Sequence, residues 1–509
     1  MDRLIKYTLI IASLFTTMGC RKILTETPYS FLTPDNFPRT STDADVALLG
    51  AYSYLQTGNT FRNTLSYLLS VQNDLVHPSA NIAGAALGMF QSFQVSGSDL
   101  APQNVWIDLW KGMNACNGLI GTLNNLENAQ AWVAPKLAEA RALRALYYFY
   151  LVRLYGDLPL KLELTTKPVV IQPRVSAEEI YQVIEDDLLA ADNKLSNAAN
   201  NGGRFTNGAI KALLAQVYIT KAGWRRSSDG QMVKGDSKYY AMARDRAKEV
   251  LDMENTGIYA LNPDYTAVFK NLSSDVYDKE VILSVEFKMP ERGSNFPYFF
   301  GASGGANATK GSGEAYARAN REFVATLDFK DTRVEWNIAN YSYLNGWTRT
   351  PSNDQNSFGI AKYQKLPGSS HFFNHSTNWP LLRLDDIKLI YAEALNEISN
   401  GPTPEAYQQI NAIRYRARPA DHKTDGTVLP DLAGLDKEAF HKALMAERAI
   451  ELILEGSRRL DLIRWGVLVE KVQMASSQPA AGNVHERHYL LPVPPQDLNI
   501  NGWNQNNGY

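Results

Sequence analysis

The sequence predicts a mainly α-helical protein, in which helix pairs stack into an array and irregular loops with a little strand lie on one side. Three observations carry this prediction. Apolar residues recur at i, i+3, i+4 and i+7 through two long blocks of the chain. Short loops separate the helical segments, as in stacked helix pairs. Between the blocks, roughly over residues 257–380, the sequence becomes rich in Gly, Ser, Asn and aromatic residues.

The first helical block contains four predicted helices, at residues 135–160, 176–195, 207–224 and 239–252. Pro135 suits a first helical turn, because that position needs no backbone N–H donor. Ser176 and Glu179 have the spacing of a capping box, which predicts a helix start at this point. Apolar residues form two stripes on the first of these helices, so we expect neighbours on more than one side.

The second block contains three predicted helices, at residues 381–399, 403–418 and 436–456. Thr403 with Pro404, and Asp436, are favourable helix starts. Between the blocks, "EVILSVEFK" (280–288) alternates like a strand. The longer irregular stretches there predict functional loops, because their aromatic content argues against disorder.

Composition excludes one class of partner. The chain has 509 residues, with 51 basic and 53 acidic side chains and a formal net charge of −2. Binding to nucleic acid depends on neutralising phosphates with a basic surface. We therefore expect no nucleic-acid partner.

The N-terminus resembles a secretory leader. Arg3 and Lys6 precede an apolar run, and Gly19-Cys20 follows it in the manner of a bacterial lipobox. The run is far shorter than the roughly 20 residues that span a bilayer. We expect Cys20 to be lipidated; a plain signal peptide is the alternative. The only other cysteine is Cys116.

A ladder of charged residues stands out near the C-terminus, in "ERAIELILEGSRRLDLIRWG" (447–466). Helical spacing places four members of this ladder on one face of the last predicted helix. Neighbouring carboxylates on one face point the same way, whereas a glycosidase needs two that flank a bond at about 5–9.5 Å. Nearby arginines also keep carboxylates ionised. We therefore predict a structural salt network, formed by Glu447, Glu451, Glu455, Arg458, Asp461 and Arg464.

We predict no catalytic residues, because the sequence contains no nucleophile-elbow, phosphate-loop or zinc-binding motif. Aromatic rings on irregular segments remain as candidates for binding, because flat rings offer rigid apolar contact area to the C–H faces of sugars. The candidate ligand-binding residues are Tyr298, Trp336, Tyr343, Trp347, Phe372, Trp379, Phe90 and Phe93. No cofactor or metal is expected, and a calcium ion that orders a loop is left open.

Five long motifs, in order, resemble the SusD/RagB family of outer-membrane lipoproteins of Bacteroidetes. They are "VWIDLWKGMNACN" (105–117), "EARALRALYYFYLVRLYGDLPL" (139–160), "LLRLDDIKLIYAEALNE" with "INAIRYRAR", "ERAIELILEGSRRLDLIRWG" and the terminal "YLLPVPPQDLNINGWNQNNGY". The resemblance implies a tetratricopeptide-like helix-pair scaffold without enzyme activity. It also implies a lipid anchor in the outer membrane, exposure at the cell surface, and a SusC-like TonB-dependent transporter as partner. The family's ligand residues lie in variable loops, so none carries over to a position here.

We therefore expect a glycan-binding lipoprotein that captures an oligosaccharide and acts as the lid of its transporter. A peptide-binding member of the same family and an α-helical glycoside hydrolase are the alternatives. The expected parts are a signal peptide (1–19), a lipid-anchored tether (20–35), an N-terminal helical part (36–270), a loop-rich ligand-binding insertion (271–380) and a C-terminal helical part (381–509).

Overall fold

The computed structural model describes residues 37–126 (except 81 and 83), 130–166, 171–199, 202–274, 276–301, 316–339, 358–363 and 374–509 (except 477 and 479), with backbone alone at 341–344 and 348–351. Most of these residues are helical, which confirms the predicted fold class. Within the described residues, every helix is too short or too polar to span a membrane.

The helices predicted in the two blocks are present, and further helices precede, separate and follow them, among them the 25-residue helix α4. They are α1 (Ser41–Tyr52), α2 (Thr64–Val71), α3 (Ala86–Gln91), α4 (Leu100–Asn124), α5 (Val133–Tyr155), α6 (Ala177–Ala191), α7 (Asn207–Ala222), α8 (Lys238–Asn255), α9 (Tyr265–Leu272), α10 (Phe296–Phe300), α11 (Arg321–Val324), α12 (Thr332–Asn337), α13 (Leu384–Ile398), α14 (Pro404–Ala417), α15 (Lys437–Glu451), α16 (Arg458–Arg464), α17 (Leu468–Met474), α18 (Ala480–Asn483) and α19 (Pro495–Asn501).

The strands are short and form small antiparallel sheets. They are β1 (Val76–Pro78), β2 (Leu158–Pro159), β3 (Arg174–Val175), β4 (Trp224–Arg226), β5 (Met232–Lys234), β6 (Val281–Val285), β7 (Ala317–Ala319), β8 (Ile338–Ala339), β9 (Tyr341–Leu344), β10 (Thr348–Pro351), β11 (Phe358–Ile360) and β12 (Trp379–Arg383). In the one four-stranded sheet of the described residues, the order is β1-β7-β11-β8.

The long helices pack as a continuous array. Helix α5 packs between α4 and α6, α7 packs on α8, and α13 joins α8 to α14. Between α4 and α5 the contact is close: a Cβ on Gly112 would lie 2.2 Å from the Tyr147 ring. The Tyr147 hydroxyl donates to the carbonyl of Ala51 at 2.7 Å and so ties α1 to the same pair. One extended core of buried apolar side chains runs through this array.

Several helix starts match the sequence prediction. Ser176 and Glu179 form the predicted capping box at the start of α6. Thr403 caps α14 by accepting from Ala406 N, and Asp436 caps α15 by accepting from Ala439 N. These local predictions are confirmed because a cap depends on residues within one helical turn.

Two predicted boundaries are wrong. The segment 381–399 begins as strand: β12 pairs with β6, and the helix starts only at Leu384. The predicted strand at 280–288 is confirmed over Val281–Val285, but all five residues are buried instead of alternating. Both faces of this strand are covered, which a polar-apolar alternation could not predict.

Candidate functional site

The charged ladder of residues 447–464 is divided between two helices. Helix α15 ends at Glu451, and the chain then turns through Leu454 and Gly456, whose φ angles are 60° and 81°. Helix α16 begins at Arg458. The prediction that the ladder shares one face of a helix running to residue 456 is therefore wrong, because left-handed backbone ends the helix after Glu451.

Arg333 of α12 pairs with the first two carboxylates of the ladder. Its guanidinium lies 2.5 Å from Glu447 and 2.9 Å from Glu451, and it also contacts Asp331 at 2.7 Å. Burial alone would lower the pKa of Arg333, but these three carboxylates raise it well above its usual range. The ion pairs are thus internal contacts between α12 and α15, and Arg333 is fully buried.

A cluster of three carboxylates surrounds the end of α15. Oxygens of Glu280, Asp385 and Glu451 lie within 4.8 Å of one another, close enough to hold a cation. Arg383 lies 2.6 Å from both Glu280 and Asp385, and Arg416 bonds Glu280 and Glu451. Two guanidiniums therefore already face the three acids, which leaves little unbalanced negative charge for a metal ion.

The pKa values of two carboxylates in this cluster are shifted in opposite directions. Burial and the neighbouring carboxylates raise the pKa of Asp385 well above its usual range, despite Arg383. Burial would also raise the pKa of Glu451, but Arg416 and a hydrogen bond with Asp385 outweigh it and hold that pKa well below normal. Of these two carboxylates, Asp385 therefore takes up a proton the more readily.

The other four members of the ladder also form ion pairs. Glu455 accepts from Arg383 at 2.6 Å, and Arg458 contacts Asp74 at 2.7 Å. Asp461 contacts Arg464 at 2.9 Å and Arg448 at 2.8 Å, while Arg464 also donates to Glu393 at 2.8 Å. Each of the six predicted network residues is buried or nearly so and is paired. They join α12, α13, α14, α15 and α16 into one unit.

A groove of about 500 Å³ passes beside Glu447, between α15, α17 and the segment that follows α11. Its floor is apolar, with Leu327, Met445 and Ile450 among the lining residues. Glu447 itself is 3% exposed, and its two carboxylate oxygens accept from Arg333 and Arg414. The carboxylate is therefore engaged inside the protein and is not presented to the groove as a free acid or base.

Four of the predicted ligand-binding rings are core residues. Trp379 is 1% exposed and packs against Phe61, Phe296 and Tyr363. Phe90, Phe93 and Tyr298 are 5%, 1% and 7% exposed. A buried ring has no free face for a sugar, so these four predictions are wrong as ligand contacts. The physical reason is that Phe90, Tyr298 and Trp379 lie in the ordered elements α3, α10 and β12, and Phe93 just after α3, where each ring fills the core.

Trp336 is the one predicted ring that is described and half-buried. Its indole N–H donates to the carbonyl of Lys362 at 3.0 Å, and the Lys270 ammonium lies 5.3 Å from its ring. The side chains of Tyr343, Trp347 and Phe372 lie outside the described residues. The same holds for Cys20. These assignments therefore stay predictions.

The four-stranded sheet presents a polar face that the sequence did not reveal. His77 of β1 lies opposite Arg318 of β7, and Arg318 lies opposite Gly359 of β11. Burial lowers the pKa of His77, so its neutral ring donates from Nδ1 to Asn320 Oδ1 at 2.8 Å. Gly359 is buried and adds no side chain to this face beside Arg318.

A pair of aromatic rings lies at the start of β11, an interior strand of the same sheet. Phe358 of β11 is half-buried, and Phe329 is 57% exposed, with ring centroids 6.1 Å apart. Sequence reasoning missed Phe329 because it lies in a short polar turn and not in an aromatic-rich stretch. Such a pair offers flat apolar area beside polar groups.

Cys116 is fully buried in α4, and burial raises the pKa of its thiol. A thiol that stays protonated and inaccessible is a packing residue.

Two family models and a protein of known family match this chain in sequence. A family model described as "SusD family" matches residues 308–509, and one described as "Starch-binding associating with outer membrane" matches residues 46–219. SusD-like protein P25 of Formosa agariphila is 27% identical, over 98% of this chain and 97% of that protein.

Solved structures agree with the fold. A SusD homologue from Bacteroides thetaiotaomicron superposes with a TM-score of 0.83 at 26% identity, covering 94% of this chain and 98% of its own. Surface glycan-binding protein A from the same organism, in complex with laminarihexaose, has a TM-score of 0.72 at 19% identity over 91% and 99% of the two chains. At that identity the likeness shows the fold alone.

Stacked helix pairs with a charge network inside them and a small sheet on one side define a helical scaffold class of protein. The chain belongs to the SusD family.

Proposed function

We propose that this protein is a glycan-binding lipoprotein of the outer membrane, which captures an oligosaccharide and delivers it to a SusC-like TonB-dependent transporter. The observation that carries the proposal is the match to SusD homologues along nearly the whole chain. The family description of starch binding at the outer membrane and the laminarihexaose complex of a structural relative support glycans as the ligand class.

The arrangement of charges supports binding without catalysis. Hydrolysis of a glycosidic bond needs an acid and a second carboxylate facing the substrate from about 5–9.5 Å apart. In the described part of the chain, the acidic residues of the ladder are buried and committed to arginines. We expect binding to need no cofactor, so that removing divalent ions with EDTA should leave glycan affinity unchanged; a fall in affinity would indicate the loop-ordering calcium ion that the sequence leaves open.

The ligand surface that we propose lies on the loop-rich part, residues 271–380, around the polar face of the four-stranded sheet. Trp336, Phe358 and Phe329 supply apolar rings to this surface. Tyr343, Trp347 and Phe372 remain proposed contacts on the same part of the chain. Affinity at a shallow polar site should be modest, because ordering and desolvation costs offset much of the contact energy.

Calorimetric titration of the protein against a glycan panel and a peptide library tests this function. We expect saturable binding of at least one glycan, which weakens in Trp336→Ala and Trp347→Ala. Tyr415→Ala is the matched control, since Tyr415 is an exposed ring on the helical scaffold (48% exposed). Binding of peptides alone would show that the ligand class is wrong, and unchanged affinity in both variants would show that the site is wrong.

The membrane and transporter parts of the proposal have their own test. Cys20→Ser should abolish labelling by a fatty-acid analogue and move the protein out of the membrane fraction. The anchored wild-type protein should co-purify with a β-barrel transporter, because a lid must cover a pore. Lipid labelling without a co-purified barrel would contradict the lid role while leaving the anchor in place.

A further inference from the structure

A second concave site lies away from the loop-rich part. It is a pocket of about 300 Å³ between α4, the segment that follows β2, and the C-terminal helix α19. This volume is at the lower end of the range of about 300–1,000 Å³ in which proteins bind small molecules. Three indoles line it, those of Trp106, Trp110 and Trp503.

The walls of this indole pocket are tied to one another. Thr165 N donates to Asn114 Oδ1 at 2.8 Å, which joins the connecting segment to α4. Gln172 N donates to Asn501 Oδ1 at 3.1 Å, and Trp503 Nε1 donates to the Gln172 carbonyl at 2.7 Å. The pocket is therefore preformed, and a ligand does not have to order its walls.

Two polar atoms of the lining residues are left without partners. Trp110 Nε1, a donor, and Gln172 Oε1, an acceptor, are buried and have no hydrogen-bond partner among the described residues. Buried polar groups are nearly always satisfied, so such exceptions need an explanation. One ligand hydroxyl can accept from Trp110 Nε1, and another can donate to Gln172 Oε1.

Three charged side chains line the pocket, those of Lys111, Lys161 and Asp497. Lys111 pairs with Asp108 at 3.1 Å and Asp497 accepts a hydrogen bond from Trp106, whereas no ion pair joins Lys161 to Asp497 in the described part of the chain. Burial lowers the pKa of Lys161 and raises the pKa of Asp497. The Lys161 ammonium lies 5.4 Å from the Trp110 ring. A net charge near zero disfavours an anion or a cation, whereas both groups can hydrogen-bond to hydroxyls.

We propose that the indole pocket binds a single neutral pyranose ring, as a site separate from the loop-rich surface. The ring stacks on an indole face, and its hydroxyls satisfy Trp110 Nε1, Gln172 Oε1, Lys161 and Asp497. This goes beyond the proposed function, because none of the lining residues lies in 271–380. The protein then holds a sugar ring at two places.

Saturation-transfer NMR with methyl glycosides of glucose, galactose, mannose and xylose tests the pocket. The mature chain should give ligand signals with at least one of them at millimolar concentration. Trp503→Ala should abolish these signals by removing a stacking face. Trp110→Phe keeps a ring but removes the unpartnered donor, and should weaken binding by about two- to tenfold, as expected for one neutral hydrogen bond.

Tyr415→Ala is the matched control, because it removes an exposed ring of the helical scaffold that lines neither proposed site, and it should leave the monosaccharide signals unchanged. Circular dichroism and the melting temperature of each variant check that it folds. The absence of signals with all four glycosides would overturn the proposal. The proposal would also be overturned if the glycoside signals persist in both Trp503→Ala and Trp110→Phe, or if glycine or acetate displaces the bound glycoside. Oligosaccharide binding lost in Trp347→Ala but not in Trp110→Phe tests the proposed function independently.

Discussion

At the scale of single residues, Glu451 shows how the charged ladder works. It is fully buried and accepts from Arg333 and Arg416, which come from α12 and α14. The sequence predicted that these acids are structural, because arginines accompany them. It could not predict that Arg333, Arg383 and Arg416 are the partners, since these lie 35–118 residues away along the chain.

Glu451→Gln should destabilise the protein by about 3–5 kcal/mol, because it removes one carboxylate shared by the buried guanidiniums of Arg333 and Arg416 and leaves excess buried positive charge. Glu438→Gln is the matched control on the same helix, where the side chain is exposed. We expect it to change the free energy of unfolding by less than about 1 kcal/mol. Urea denaturation measures both, and equal stability of the two variants would contradict a structural role for Glu451.

Glu393 predicts a pH dependence. Burial would raise its pKa, but Arg464 outweighs burial and lowers the pKa of Glu393 to about 2, from an ordinary value of 4.5. Because the pKa of Glu393 is lower in the folded state than in the unfolded state, its ionised form stabilises the protein at pH values above about 4.5. This stabilisation is lost as the pH falls from about 4.5 to about 2. Over that window the Glu393 contribution should fall by about 3 kcal/mol.

The matched experiment is urea denaturation of the wild type and Glu393→Gln between pH 5 and 2.5. The variant should be less stable at pH 5, and the gap should shrink as the wild-type carboxylate takes up its proton. A gap that stays constant with pH would show that Arg464 does not lower the pKa of Glu393.

The aromatic residues mark the limit of sequence reasoning at this scale. Trp379 and Trp336 both follow polar or irregular stretches, yet one is buried among aromatic rings and the other is half-buried. Exposure depends on which elements cover a loop, and a single sequence does not contain that information. Trp110 and Trp503 show the converse case, since they lie 393 positions apart and share one pocket.

At the scale of elements, helix starts were predictable and some helix ends were not. The capping box of α6 involves neighbours in sequence and is present as predicted. The end of α15 depends on Leu454, a residue that adopts a left-handed conformation against its own preference. Helical periodicity does not contain the tertiary contacts around this turn. The sequence therefore predicted that the helix runs to residue 456, beyond its end at Glu451.

The packing of α4 on α5 gives a prediction with a close control. Gly112→Ala places a Cβ 2.2 Å from the ring of Tyr147, which is fully buried and fixed by its bond to Ala51. We expect a loss of about 1–3 kcal/mol from overpacking. Gly121 lies on the same helix, is exposed and has open space around its Cβ position.

Gly121→Ala should therefore stabilise the protein by about 0.5–1 kcal/mol, because alanine restricts the unfolded chain and favours helix. Melting curves of the two variants should move in opposite directions. A tolerated Gly112→Ala would show that the two helices do not approach as closely as described.

At the scale of the whole molecule, the array of helix pairs could be predicted from periodicity, and the family from five motifs that belong to the scaffold. The binding surfaces could not be located in the same way. They depend on how β1, β7, β11 and β8 meet from four distant segments, and on the C-terminal helix closing over α4. Such long-range contacts have no local signature in one sequence.

The most direct test of the account measures binding and hydrolysis on the same purified protein. Titration of the glycan panel by calorimetry is followed by an assay of those samples for released reducing ends. We predict saturable binding with a Kd in the micromolar to millimolar range, about −8 to −4 kcal/mol, and no sugar release above the blank. If the wild-type protein releases sugar and Glu447→Gln does not, the result would contradict the claim that the charged residues hold the scaffold together and do not act on a substrate.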